Sequence, residues 1–345
     1  MEEIQVAKNI DIWYEASQIK PEIYVREKAI QAFHLQQMQL KALHNETIAS
    51  VFEAWEDQPI RFFFFAIGSQ TYCGRKLLSD IVTCHGSPGF FCSLVKIEML
   101  LGELIRSQVS QEGVELFYKP LSFTKRCQIF EQLKNHREID IYYPFVHLSK
   151  VERLEINTPE QGWFITKERA HLLSLGERYL RKISADLVKS GGNKKPIIYD
   201  PACSTGEFLS VIKQAVPESI VIGQDISPQM CEWAASKLDQ VICGNSMNPG
   251  VTTASCDYIF FRFLNAEVVS TQLAKQLFIK IICCLKPNGL AILFGHTPVL
   301  LAVSFMEHLG FQMKSCNYYI ESEMAVVQYY VIKPRSKGEY DSLCY

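Results

Sequence analysis

The chain runs to 345 residues, 48% hydrophobic and 21% charged, with a net charge of −2 and a mean hydropathy of +0.02. That composition excludes a disordered or collagen-like chain, and the length suits roughly two domains of about 150 residues each. Lys plus Arg against Asp plus Glu runs 16 to 18 through Lys150 and 19 to 19 beyond it, so neither half has the basic excess of a nucleic-acid clamp.

In chain order, the spacing of Ile23, Ile30, Phe33, Met38, Leu40 and Leu43 predicts a helix between Pro21 and about Asn45. A second short helix is expected over Thr47 to Trp55, while periodicity leaves Arg61 to Ile67 unassigned. Ser87-Pro88-Gly89 reads as a turn or helix start, Phe91 to Ile105 as an apolar helix, Val114 to Tyr118 as a strand and Ser122 to Leu133 as a helix. The first 150 residues are therefore expected to be mainly helical.

The second half changes rhythm. Strands are expected at Ile197 to Tyr199, Ser219 to Gly223, Val241 to Cys243, Asp257 to Phe261 and Leu290 to Phe294. Helices are expected between them at Gly206 to Val216, Pro228 to Leu238 and Leu273 to Cys284. Short apolar strands alternating with helices imply a parallel sheet covered on both faces, an α/β fold. After a helix over Val299 to Leu309, the runs Phe311 to Ile320 and Ala325 to Ile332 read as a hairpin that adds one antiparallel strand. The division expected is residues 1–150, a lid, substrate or dimerisation domain, and residues 151–345, a ligand-binding domain.

No run reaches the roughly 18 apolar residues of a spanning helix, and Met1 to Glu15 shows no basic-then-apolar leader. A cytoplasmic protein is expected. Its twelve cysteines form no C-x-x-C pair, which reads as reduced, mostly buried thiols. Cys84-His85 and Cys92 fit no zinc spacing, and no metal is expected.

The chemistry is concentrated in Asp200-Pro201-Ala202-Cys203-Ser204-Thr205-Gly206-Glu207-Phe208. These residues leave a buried strand and enter a helix through small side chains, a turn that lets a ligand lie against the backbone. Asp225 ends the next strand, 19 residues beyond Gly206, where an acid can accept both hydroxyls of a ribose. The turn is not G-x-G-x-x-G, and an acid at its start suits a cationic nucleoside better than a pyrophosphate. Capping roles for Asp200 and Asp225 are the plain alternative, but they leave that spacing unexplained.

Here the chain resembles the class I S-adenosylmethionine-dependent methyltransferases, over about Gly162 to Pro334. The resemblance implies a seven-stranded, mostly parallel Rossmann-like sheet with S-adenosyl-L-methionine as cofactor. It places Asp200, Ala202, Cys203, Ser204 and Gly206 under the methionine part, Asp225 at the ribose, and Asn245, Ser246 and Met247 at the adenine edge. Phe208, Ile226 and Phe261 complete that set. Lys286-Pro287-Asn288-Gly289 matches the family's turn before its fifth strand.

Two segments resemble the N6-adenine DNA methyltransferases: Asp200 to Gly206, and Gly162-Trp163-Phe164-Ile165-Thr166, which implies Phe164 and Thr166 at the cofactor carboxylate. Those enzymes need [N/D]-P-P-[Y/F] to hold a flipped base. Here the strand runs on into Arg262-Phe263-Leu264-Asn265, so a small-molecule acceptor is expected and nucleic acid is not.

The acceptor should approach from the carboxyl ends of the fourth and fifth strands of this sheet. That makes Arg262, Asn265, Glu267 and His296 the candidate catalytic residues. His296 is either a base titrating near neutrality or a loop histidine. Arg262 either grips an acidic substrate or pairs with Glu267. Tyr142, Tyr143 and Phe145 are either an acceptor wall or plain core. A homodimer through the N-terminal helices is also expected. Two readings stay beside the small-molecule enzyme: a nucleic-acid methyltransferase, and a cofactor-binding regulator without turnover.

Overall fold

The computed structural model describes residues 48–54, 61–76, 81–84, 87–91, 93–146, 166, 178–265, 268–295 and 297–336. The helix expected between Pro21 and Asn45 lies outside them.

The described part of the first half is built mainly from strands, which corrects the expectation of a mainly helical domain. Its elements are β1 (Ala49–Ala54), β2 (Phe62–Ile67), β3 (Gln70–Arg75), β4 (Ile81–Cys84), β5 (Ser87–Phe91), β6 (Leu100–Val109), β7 (Gly113–Pro120) and α1 (Phe123–Asn135). Five of the strands form an antiparallel sheet in the order β1-β7-β6-β3-β2, and β4 and β5 pair as a separate hairpin. The expected helix over Thr47 to Trp55 is β1, where Ala49, Val51 and Glu53 are buried while Ser50 and Phe52 are exposed. The buried Glu53 and exposed Phe52 reverse the usual polarity and hide the period of two. Glu53 can be buried because Arg75 Nε donates to it at 2.5 Å. The expected helix over Phe91 to Ile105 is the end of β5, a 3₁₀ turn at Ile97–Met99 and the start of β6. The strand at Val114 to Tyr118 and the helix at Ser122 to Leu133 are found, with Ser122 Oγ accepting from Lys125 N to cap α1.

The second half follows the expected alternation. It contains α2 (Arg178–Ser190), β8 (Ile197–Asp200), α3 (Glu207–Ala215), β9 (Ile220–Asp225), α4 (Pro228–Ala234), β10 (Gln240–Cys243), β11 (Cys256–Phe261), α5 (Thr271–Ile282), β12 (Leu285–Leu293), α6 (Val303–His308), β13 (Phe311–Ile320) and β14 (Ala325–Pro334). The sheet order is β10-β9-β8-β11-β12-β14-β13. β14 runs antiparallel to both of its neighbours, and the other pairings are parallel. The strand order reverses between β8 and β11, which places a ligand crevice at the carboxyl ends of β8, β9 and β11.

The two sheets share one core. Tyr142 exchanges backbone hydrogen bonds with Phe64, and Val95 does so with Val326. Buried Asn317 donates to the carbonyls of His136 and Ile139, and Gln328 Nε2 donates to Ile141 O at 2.7 Å. Phe63, Phe65 and Tyr143 therefore sit in the same apolar cluster as Phe278, Val326 and Tyr330. Eight cysteines are free among the described residues. Cys283 is disulfide-bonded, unlike the reduced thiols expected throughout. No helix among the described residues is long and apolar enough to cross a membrane.

Candidate functional site

The crevice starts where β8 ends. Ser204 and Gly206 both take left-handed backbone, with φ of 50° and 76°. A Cβ on Gly206 would stand 3.1 Å from the Ala234 Cα, so glycine is required both for the turn and for the approach of α4. Cys203 N donates to Gln224 O at 2.8 Å, tying the turn to β9. Burial, together with the carboxylates of Asp200 and Asp225, pushes the Cys203 thiol far up, leaving it inert packing under the turn.

Asp200 is fully buried. Its Oδ1 accepts from Ala202 N at 3.0 Å and its Oδ2 from Arg262 Nε at 2.7 Å. Arg262 also donates to Ala202 O at 3.1 Å, and its guanidinium lies 4.6 Å from the Phe208 ring centroid. Phe208 packs edge-on against Phe260. The partner of Arg262 that the structure shows is therefore Asp200; Glu267 lies outside the described residues. This pair neutralises the buried carboxylate and fixes the first residues of the turn.

Asp225 stands at the end of β9 with one oxygen accepting from Ser204 N and the other from Ser227 N, each at 2.9 Å. Burial pushes its carboxyl up, while the Ser227, Ser204 and Ile226 N–H groups and the Arg262 charge pull it back. The cap of α4 is Ser227, with Pro228 opening the helix, so Asp225 is not needed as the cap.

Beyond β10, Ser246 Oγ donates to Pro201 O and joins the 244–250 loop to the first turn. Asn245 is exposed, its Oδ1 accepting from Met247 N at 2.9 Å, and Met247 is half-buried. Gln224, which sequence reasoning passed over, holds the same loop through both ends of its amide. A glutamine among the apolar residues of a central strand was the available signal.

The structure gathers Asp200, Ala202, Ser204, Gly206, Asp225, Ser246 and Arg262 around this turn, with Ile226 next to Asp225 and with Asn245 and Met247 on the loop after β10, while Cys203 and Phe208 are packed in the core beneath it. The Phe261 ring is instead spent on the core, 5.3 Å from that of Phe278. Asn265 is buried, donating to Arg262 O and bridging to Val299, so it braces the loops that follow β11 and β12. Thr166 is exposed. Phe164, Glu267 and His296 lie outside the described residues. The expected aromatic trio divides. The Tyr143 hydroxyl donates to Ser93 O, and Ser93 Oγ donates to Gly295 O, next to position 296. Phe145 packs against Phe62 and Phe64 in the first sheet. Tyr142 lines a separate cavity of about 510 Å³ with Ile67, Gln132, His136 and Asp140.

A left-handed turn of small residues, a buried carboxylate on the adjacent strand and an amide on the next loop together fit a nucleoside. Comparison with known proteins agrees. Residues 198–289 match the family described as a methyltransferase domain. Isonocardicin synthase of Nocardia uniformis subsp. tsuyamanensis is 33% identical over 282 residues, 81% of this chain and 93% of that protein. Among solved structures, a SAM-dependent methyltransferase from Aquifex aeolicus is similar with TM-score 0.37 and 14% identity, over 49% of this chain and 99% of that one. A sugar N-methyltransferase from a Streptoalloteichus species gives 0.32 and 17%, over 40% and 57%.

Proposed function

The chain belongs to the class I S-adenosylmethionine-dependent methyltransferases, and from that premise we propose that it methylates an oxygen or nitrogen of a small-molecule metabolite between its two halves. What carries the reading is Asp225 at the end of β9, set against the left-handed turn at Ser204 and Gly206.

S-adenosylmethionine, when bound, supplies a methyl group already activated by a sulfonium leaving group. The protein's own task is then alignment and exclusion of water. Asp225 accepts the ribose hydroxyls, which replace or share the N–H groups it now holds. Asn245, Ser246 and Met247 meet the adenine edge, with the second lone pair of Asn245 Oδ1 open to an amino donor. The 200–206 turn lies under the cationic tail. Both Asp200 oxygens are engaged within the protein, so its role is to hold the turn and Arg262 in place. The resemblance of residues 162–166 to the adenine methyltransferases assigns Phe164 and Thr166 to the carboxylate of the tail.

His296, which follows β12 in the sequence, is the base that takes the acceptor proton, and Glu267 and Asn265 are the other catalytic candidates of this reading. The chain from Tyr143 through Ser93 to Gly295 supports the view that residues 1–150 form the acceptor side and residues 151–345 the cofactor side. The same reading takes the protein as a cytoplasmic homodimer, which sedimentation of the purified chain and cell fractionation would test. The relative's printed name, a synthase, supports a metabolite acceptor. The residues that follow β11 speak against a nucleic-acid substrate, because the two prolines of the base-gripping motif are missing there.

The test is incubation with S-adenosylmethionine and a panel of phenols, carboxylates and amines, read by product mass. Gain of a methyl group by one acceptor class is expected. Binding without transfer would favour a regulator, and transfer of any other part of the donor would overturn the methylation reading.

A further inference from the structure

We infer that Gln224 is the positioning residue that sets the adenine-side loop before the donor arrives, with Tyr199 as its support. The inference rests on the reading that residues 244–247 meet the adenine.

Tyr199 and Gln224 each stand one residue before an acid of the site, in the paired strands β8 and β9. A parallel sheet covered on both faces is ordinarily apolar at such positions, and a buried amide or phenol costs free energy unless its hydrogen bonds are made. Here all are made. Gln224 is 1% exposed. Its Oε1 accepts from Tyr199 OH at 2.5 Å and from Gly250 N at 2.9 Å, and its Nε2 donates to the carbonyls of Gly244 and Asn248, both at 3.2 Å. Two lone pairs and two N–H groups are the full capacity of the side chain.

The three backbone groups it serves belong to a partly exposed loop whose carbonyls and N–H have left the sheet, so Gln224 supplies the partners that the sheet does not. Gln224 thus acts as a missing strand for residues 244–250. Gly244 N adds a bond to Asp225 O, and Ser246 Oγ closes the other side on Pro201 O. The groups that hold the loop carrying Asn245 all belong to the protein itself, so the donor need not order it and that cost is not subtracted from donor affinity. Burial pushes the Tyr199 phenol far up, so it remains a proton donor to Gln224 across ordinary pH.

Gln224→Met keeps the length of the side chain and removes all four bonds. Three readouts test it: affinity for S-adenosylhomocysteine, the preference for that ligand over its inosine counterpart, and amide hydrogen exchange of residues 244–250 without ligand. The expected result is about tenfold weaker binding, or ~1.4 kcal/mol, loss of most of the base preference, and faster exchange confined to that loop. Gln224→Glu keeps the acceptor half and should recover part of the affinity. Tyr199→Phe should shift all three readouts the same way by less, and it decides the matter if Gln224→Met does not fold. Unchanged affinity, preference and exchange, alongside an Asp225→Ala variant that no longer binds, would overturn the role of Gln224 alone. An Asp225→Ala variant that binds like the parent would overturn the donor-site reading beneath it.

Discussion

Arg262→Met removes the cation that neutralises Asp200 and leaves a carboxylate with no solvent exposure facing a thioether. The lost contacts are the 2.7 Å bond from Nε to Asp200 and the 3.1 Å bond to Ala202 O. Breaking one side of such a buried pair costs about 3–5 kcal/mol, because the remaining charge is desolvated and unpaired. Replacing both partners with neutral groups avoids that penalty, so Asp200→Asn combined with Arg262→Met should be far less damaging than Arg262→Met alone. Urea unfolding of the four proteins gives the coupling directly, and a value of about 2–3 kcal/mol is expected. Loss of about 1 kcal/mol or less in Arg262→Met, or additive single effects, would refute the assignment of the pair as the charge balance of the turn.

Burial pushes the Asp140 carboxyl from 3.8 up to about 6, against the hydrogen bond from Tyr330 that favours ionisation. The folded state then keeps a proton that the unfolded chain has released. Stability should fall as pH rises from about 4 to about 6 and stay at the lower level above that. Asp140→Asn keeps an acceptor for Tyr330 and should flatten this dependence. It should add about 1–3 kcal/mol near neutrality, the partly exposed edge of the carboxyl trimming the full effect; equal or lower stability in thermal melts at neutral pH would contradict this. Gly206→Ala places a Cβ at a φ of +76° and 3.1 Å from Ala234, so it should cost about 1–3 kcal/mol and weaken donor binding. Calorimetry and denaturation together check that both losses appear in the same variant.

The cofactor half was legible because its signals are local and agree with one another. β8, β9 and β11 are short apolar runs bounded by turns, and Ser227-Pro228 opens a helix by its own chemistry. The first half resisted for a different reason. β2 is buried along Phe62 to Phe65 with no alternation, because each of its faces lies against a different apolar cluster. In β1 the buried row includes Glu53, which distant arginines make tolerable, Arg75 22 residues away among them. At the site, the aspartates ending β8 and β9 carried enough spacing information to be picked out. The partner of Arg262 was not, since a bond spanning 62 residues leaves no local trace. Gln224 was legible in principle as a polar residue inside an apolar strand, but its partners at Gly244, Asn248 and Gly250 appear only once the loop is folded.

The most direct measurement is calorimetric titration of the purified chain and its Asp225→Ala variant with S-adenosylmethionine. Saturable one-site binding by the parent, weakened at least tenfold by the loss of the ribose acceptor (about 1.4 kcal/mol or more), is the expected result. No binding by the parent, or equal binding by both proteins, would contradict the assignment of this crevice as the donor site.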